Sequence, residues 1–111
     1  MKLFIYVLHK TELLDKLLKE LHKNDIKGAT IINSTGMGRK LYQTDDHAFI
    51  GSLRAMFESS RVDSNMILLA CPKEQVQTIF SVIESVVGDL SLPYNGIAFV
   101  MPIEEIKGYK G

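Results

Sequence analysis

The chain has 111 residues, and 13 basic side chains balance 13 acidic ones, so its formal net charge at neutral pH is zero. This length suits one domain, residues 1–111, and 46% apolar residues with 23% charged ones exclude a disordered or fibrous chain. The balanced charge argues against a nucleic-acid-binding protein. No apolar run approaches the ~18 residues that would insert into a membrane, and the lone Cys71 favours a reducing cytoplasm.

The first half of the chain predicts a strand, a helix and a second strand. Residues 3–8 are an apolar run of strand formers, which we interpret as a strand and not as a signal peptide, because Lys10 follows without a cleavage site. Leucines then recur at helical spacing after Thr11, which has the chemistry of an N-cap. Asn24 and Gly28 bracket the end of this helix, and residues 29–33 predict the next strand.

The second half repeats this order. Residues 66–71 predict a third strand, and Pro72 suits the first position of a second helix. An apolar stripe at helical spacing runs from there to Gly88, which ends the helix. Residues 97–103 predict a fourth strand, and Pro102 near its end indicates an edge of the sheet.

This order of elements predicts an α+β, ferredoxin-like βαββαβ fold. We expect an antiparallel four-stranded sheet with two helices on one face, and with the first and third strands in the middle. A long insert, approximately residues 37–64, separates the second strand from the third. Connections of this length are usually functional or mobile.

Both faces of the predicted sheet are apolar. In the first strand, one face carries Leu3, Ile5 and Val7, and the other carries Phe4, Tyr6 and Leu8. Because the helices can cover only one face, a second copy of the chain is the simplest cover for the other, which predicts a homo-oligomer. The alternative is that the short C-terminal tail folds across the open face.

The insert offers two interpretations. Its segment Phe49–Phe57 has the apolar spacing of a short helix. One interpretation is a lid that packs on its own core, and the other is an arm that reaches a partner or closes over a ligand.

A glycine motif at the start of the insert is a candidate phosphate-binding turn. Gly36 and Gly38 would let backbone N–H groups approach an anion, and Arg39 and Lys40 add cationic groups. The motif lacks the further residues of a dinucleotide fingerprint or a P-loop, so an ordinary turn is the alternative. Asn95-Gly96 predicts another turn before the fourth strand.

The remaining reactive side chains do not form a recognisable metal or catalytic site. The three histidines lack metal-ligand spacing, and the segment Asp45–His47 is best interpreted as a solvated loop. Cys71 lies in an apolar strand and is interpreted as core. We therefore predict no bound structural metal and no catalytic residues.

Nearly the whole chain resembles the P-II nitrogen-regulatory signalling proteins. The likeness combines the ferredoxin-like duplication with a glycine motif that opens a long loop, and its residues are Asp25-Ile26-Lys27-Gly28, Ala29-Thr30-Ile31-Ile32, Gly36-Met37-Gly38-Arg39-Lys40, Cys71-Pro72 and Asn95-Gly96. The resemblance implies a cytoplasmic homotrimer that binds an adenine nucleotide (ADP, ATP or AMP) in clefts between subunits. It further implies regulation of a membrane transporter or metabolic enzyme through the long loop (the T-loop), and no enzyme activity.

The resemblance also implies site residues. The nucleotide's base and sugar would lie against Gly28 and Thr30, and its phosphates near Gly36, Met37, Gly38, Arg39 and Lys40. A neighbouring subunit would close the phosphate side with Tyr94, Asn95 and Gly96, while the tail would supply Lys107 and Lys110. The partner-binding residues of the T-loop would be Tyr42, Phe49, Leu53 and Arg54.

This chain has fewer cationic side chains than the family pattern at the positions implied to contact the phosphates. The family has a lysine where this chain has Ile97, and two arginines near the positions of Gly108 and Lys110. Fewer cations predict a preference for ADP or AMP over ATP, unless Arg54 or Arg61 of the insert substitutes. The surroundings of Tyr42 also differ from the family's modified tyrosine.

Two other functions fit the same fold. Small ferredoxin-like oligomers include isomerases and cofactor-free monooxygenases, which would use a pocket between helices and sheet. A P-II-like trimer could instead sense a cyclic dinucleotide or a small anion. The sequence leaves open whether a magnesium ion accompanies the phosphates and whether 2-oxoglutarate is sensed.

Overall fold

A computed structural model describes residues 1–42 and 63–111. The predicted order of strands and helices is confirmed, with two 3-10 turns, Thr11–Leu13 and Lys73–Gln75, ahead of the long helices. The predicted helix Phe49–Phe57, the segment Asp45–His47 and Arg61 lie outside the described residues. The elements are β1 (Lys2–Leu8), α1 (Leu14–Lys23), β2 (Thr30–Ser34), α2 (Met37–Tyr42), β3 (Ser64–Cys71), α3 (Val76–Val87) and β4 (Ile97–Pro102).

The four strands form one antiparallel sheet in the order β2-β3-β1-β4. In the register, Ile5 of β1 lies opposite Leu68 of β3 and Phe99 of β4. The first and third strands are therefore central, as predicted, and Pro102 ends an edge strand. The α+β, ferredoxin-like prediction is confirmed.

The core lies between one face of the sheet and the helices α1 and α3. Alternate residues of β1 point into it, and Phe4 meets Phe80 edge-on, with ring centroids 4.8 Å apart. Cys71 is buried in this core, as its apolar strand predicts. The buried apolar side chains are Phe4, Tyr6, Leu8, Leu17, Leu21, Ile26, Ile67, Leu69, Cys71, Ile79, Val82, Ile83 and Val87.

Helix α1 begins differently from the prediction, whereas its end agrees with it. Thr11 is not an N-cap, because it starts a 3-10 turn that has no side-chain capping bond. The helix ends at Lys23 with Asn24 as its C-cap, and Asp25 takes the left-handed backbone conformation, with a φ of 64°. The Ile26 N–H donates to the Leu21 carbonyl oxygen at 2.9 Å, which is the bond of a Schellman motif.

The second face of the sheet, which we call the open face, is apolar and only partly covered. On β4, Ile97 is 51% exposed and Phe99 is 46% exposed. The C-terminal tail after Pro102 does not cover β4. The apolar side chains of the open face are Leu3, Ile5, Val7, Ile32, Met66, Leu68, Ala70, Ile97, Phe99 and Met101.

The helices of the described ranges, 1–42 and 63–111, are too short and too polar to cross a membrane.

Candidate functional site

A pocket lies where the α1–β2 connection meets the C-terminal tail, and we call it the Gly28 pocket. It brings together three predicted site residues, Gly28, Thr30 and Lys110, around a cavity of about 520 Å³. The other lining residues are Asp25, Ile26, Lys27, Leu68, Ala70, Gln75, Gly108, Tyr109 and Gly111.

The lining of the Gly28 pocket is apolar on one side and polar on the other. Leu68 and Ala70 of β3 come from the open face of the sheet, and Thr30 contributes a hydroxyl. Lys27 and Lys110 add ammonium groups. A pocket with apolar contact area and a few polar groups suits an amphipathic ligand, in which a flat apolar part is joined to an anionic part.

The Schellman motif at the end of α1 fixes this side of the pocket. Ile26 is buried in the core, so the chain leaves the helix at a defined angle before it reaches Gly28. A Cβ atom added to Gly28 would meet nothing within 4 Å. The backbone at Gly28 therefore leaves room for a Cβ atom, although Gly28 lines the cavity.

The predicted residues Gly36–Lys40 lie at the far end of β2 from Gly28. The predicted sharp glycine turn is wrong, because Met37–Tyr42 form the short helix α2. The Lys40 N–H donates to the Gly36 carbonyl oxygen at 3.0 Å, and Lys40 is exposed. Arg39 lies within α2.

The third predicted group, Tyr94–Gly96, belongs to the connection Gly88–Gly96, which we call the Gly88 loop. The Asn95 side chain is buried and donates to the Asp89 carbonyl oxygen at 2.7 Å. The Asp89 carboxylate accepts from the Ser91 N–H at 2.8 Å, which lowers the pKa of Asp89. Tyr94 and Leu92 are both exposed large side chains of this loop.

Within one chain, the groups at Gly36 and at Gly96 are on opposite edges of the sheet. Both lie at the same end of the strands, because Ser34 pairs with Ser64 and Val7 pairs with Ile97. Three strand spacings separate β2 from β4, which is roughly 14 Å.

Polar cross-strand pairs tie β2 to β3 where the insert begins. Asn65 Nδ2 donates to Asn33 Oδ1 at 3.0 Å, and the Ser34 and Ser64 hydroxyl oxygens are 2.8 Å apart. These pairs line a cavity of about 470 Å³ that also includes Thr11, Thr35 and Asp63. No residue of the predicted nucleotide site lines it.

The strongly perturbed titratable groups among the described residues lie away from the Gly28 pocket. Burial raises the pKa of Tyr6 to about 12 and also raises the pKa of the Cys71 thiol, so neither ionises readily at neutral pH. No three His, Cys, Asp or Glu side chains within residues 1–42 and 63–111 are grouped as metal ligands.

Several predicted residues are not brought into the Gly28 pocket. Lys107 lies in the tail outside its lining, and Tyr42 ends α2. The predicted T-loop residues Phe49, Leu53 and Arg54 lie outside the described part of the chain.

Sequence reasoning missed other lining residues of the Gly28 pocket, namely Gln75 and Tyr109. Gln75 precedes α3, and only the tertiary fold brings it near the α1–β2 connection. Tyr109 carried a weak signal, because it is an aromatic residue in an otherwise polar tail.

The fold defines a small α+β protein with a ferredoxin-like sheet, one apolar open face and a pocket beside β2. The sequence profile of the family described as nitrogen regulatory protein P-II matches residues 1–110. The chain therefore belongs to the P-II family, whose members are regulatory proteins and not enzymes. A search of curated protein sequences finds no significant match.

Proposed function

We propose that the protein is a homotrimeric sensor that binds an adenine nucleotide between subunits and signals through its insert to a transporter or metabolic enzyme in the cytoplasm. The observation that carries the proposal is the Gly28 pocket, because Lys110 lines the same cavity as Gly28 and Thr30 although it lies near the other end of the sequence. The match to the P-II family over residues 1–110 supports the regulatory role.

The open face supports the assembly. Apolar side chains from all four strands lie on it, and those of β4 are about half exposed in a single chain. Exposed apolar surfaces of this kind mark interfaces. In the proposed trimer the open faces point inward, and the helices α1 and α3 lie outside.

The ligand would lie along β2. Its base would occupy the Gly28 pocket over Leu68, and its phosphates would point towards α2, where Arg39 and Lys40 follow the strand. Thr30 and Ser34 are roughly 14 Å apart along an extended strand, a length that suits a nucleotide. The Gly88 loop of the next subunit would then close the phosphate end.

The distribution of cations supports a ligand with few phosphates. Ile97 follows the Gly88 loop, and the charged side chain within this loop is Asp89, which is anionic. Each charge-assisted contact that is missing costs about 1.5–3 kcal/mol, so the loss grows with the number of phosphates. We expect tighter binding of ADP or AMP than of ATP.

The test is calorimetric titration of wild type and a blocked variant with AMP, ADP, ATP and a cyclic dinucleotide. Gly28→Leu should abolish binding of the preferred nucleotide, because Gly28 lines the cavity and a larger side chain there takes space that the ligand needs, while its Cβ atom would meet no atom of the chain within 4 Å. Ser81→Leu, on the exposed side of α3, is the matched control and should bind normally.

Equal binding by the Gly28→Leu and Ser81→Leu variants would show that the nucleotide lies elsewhere. Failure of wild type to bind any adenine nucleotide would end the nucleotide proposal. Binding of the cyclic dinucleotide alone would favour the alternative ligand that the same trimer could accommodate.

A further inference from the structure

The polar cavity of about 470 Å³ lies where both ends of the insert meet the sheet, and we call it the root cavity. All of its described lining residues are polar, and none of them is basic. Asp63 contributes a carboxylate, and the other lining residues contribute hydroxyl and amide groups. A negative charge without a nearby positive one attracts cations and repels anions. The lining therefore does not suit a phosphate or a carboxylate ligand.

The root cavity is separate from the Gly28 pocket. Asn65 lies opposite Leu8 of β1, whose side chain is in the core. Because paired residues share a face, Asn65 and its partner Asn33 lie on the face that the helices cover. Leu68, which lines the Gly28 pocket, belongs to the open face. A ligand in the root cavity would therefore leave the proposed nucleotide site unoccupied.

A buried amide of the root cavity has an unused acceptor. Asn65 is 8% exposed, and its Nδ2 donates to Asn33 Oδ1 at 3.0 Å. The Asn65 Oδ1 atom has no hydrogen-bond partner within residues 1–42 and 63–111. An unpaired buried carbonyl oxygen is costly. This atom therefore indicates a hydrogen-bond donor that the described part of the chain does not supply.

The Asp63 carboxylate has one weak contact. It accepts from the Thr35 hydroxyl at 3.5 Å, which is too long for a strong hydrogen bond. Across the described ranges it forms no ion pair with a basic side chain. The root cavity thus combines a negative charge with a carbonyl oxygen, and both are available to a ligand that carries a positive charge and hydrogen-bond donors.

We propose that the root cavity binds the protonated amino group of a small amine. Each N–H of this group donates to one acceptor, and the Asp63 carboxylate, the Asn65 carbonyl and the Thr11 hydroxyl are acceptors. Asp63 and Asn65 are two residues apart, roughly 7 Å along an extended chain, a spacing that one amino group between their side chains can bridge. The cavity also has room for the carbon chain of the amine, whereas a bare metal ion would leave most of it to water.

A bound amine would connect the two ends of the insert. Thr35 follows β2 directly, and Asp63 directly precedes β3. A ligand that contacts both would hold the paired ends of β2 and β3 together. The root cavity is thus an effector site at the segment through which the proposed sensor signals, and it does not depend on the nucleotide.

The test is NMR titration of the ¹⁵N-labelled full chain without nucleotide. Ethanolamine and methylammonium should shift the amide signals of Asn33 and Asn65 in a saturable manner. Tetramethylammonium, which has the charge but no N–H, should not shift them. Asp63→Asn keeps an oxygen that can accept from Thr35 but removes the charge, so it should weaken ethanolamine binding about tenfold or more. Glu74→Gln, an exposed carboxylate beyond the other end of β3, is the matched control and should bind normally.

Absence of saturable shifts with both amines would overturn the proposal. Equal shifts with tetramethylammonium or potassium chloride, at the same ionic strength, would replace the amine site with a site for any cation. Saturable shifts with glycerol in place of the amines would indicate a polyol site and would also overturn the proposal. Equal ethanolamine affinity of the Asp63→Asn and Glu74→Gln variants would show that the amine binds elsewhere. The wild-type titrations need no variant, so they decide the matter even if Asp63→Asn is unstable.

Discussion

At the residue scale, the need for glycine differs among positions that look alike in the sequence. Gly96 combines a positive φ with a backbone contact on Val7, so only glycine fits there. Gly28 has neither restriction, although it lines the candidate site. Asp25 takes the left-handed position at the end of α1, which a short polar side chain tolerates.

Gly96→Ala should lower the free energy of unfolding by about 2–4 kcal/mol, because the added methyl group overlaps the Val7 carbonyl and the left-handed backbone is strained. Gly28→Ala should change it by no more than a few tenths of a kcal/mol, because its Cβ would meet open space. Urea denaturation at one protein concentration measures both. Equal losses would contradict the close packing of the loop on β1.

At the element scale, the Gly88 loop carries a backbone strain that a single substitution can relieve. Tyr94→Gly should raise the free energy of unfolding by about 1 kcal/mol, because glycine adopts a φ of 70° without the Cβ clash. Tyr109→Gly is the control, since Tyr109 is similarly exposed and has no positive φ. Urea denaturation that shows the same change for both variants would mean that Tyr94 is not strained.

The strands and long helices could be predicted because their signals are local. Apolar runs and leucine spacing recur within each element, so β1 and α1 follow from a few neighbouring residues. The helix α2 could not be predicted, because Gly36 and Gly38 are poor helix formers and resemble a turn.

The sequence predicted individual residues of the candidate site but not the cavity that they share. Gly28, Thr30 and Lys110 line one cavity because the C-terminal tail returns to the α1–β2 connection. The bond from Tyr6 to Asn95 was missed, because a tyrosine within an apolar strand predicts only core. Tyr6 and Asn95 are far apart in the sequence, so no periodic pattern of residues indicates their contact.

At the scale of the whole molecule, the proposed trimer would make stability depend on assembly. Apolar side chains on β4 that are half exposed in one chain would become buried when copies associate through the open face. The stability of an obligate oligomer then rises with protein concentration. For this protein, unfolding and dissociation should form a single concentration-dependent transition.

Phe99→Asp should convert the proposed trimer to monomers in sedimentation velocity at micromolar concentration, because it places a charge on the apolar open face. Ser81→Asp, on the outer surface of α3, should sediment like wild type. A wild-type chain that sediments as a stable monomer, or a Phe99→Asp variant that still forms trimers, would show that the open face is not the interface.

The Gly28 pocket joins the α1–β2 connection to the last residues of the chain, Gly108–Gly111. Any occupant of this pocket therefore acts as a removable cross-link between two segments that no covalent bond connects. Binding of a ligand would hold the tail at the edge of the sheet, and dissociation of the ligand would release the tail. If the pocket binds the proposed nucleotide, the position of the tail would depend on that ligand.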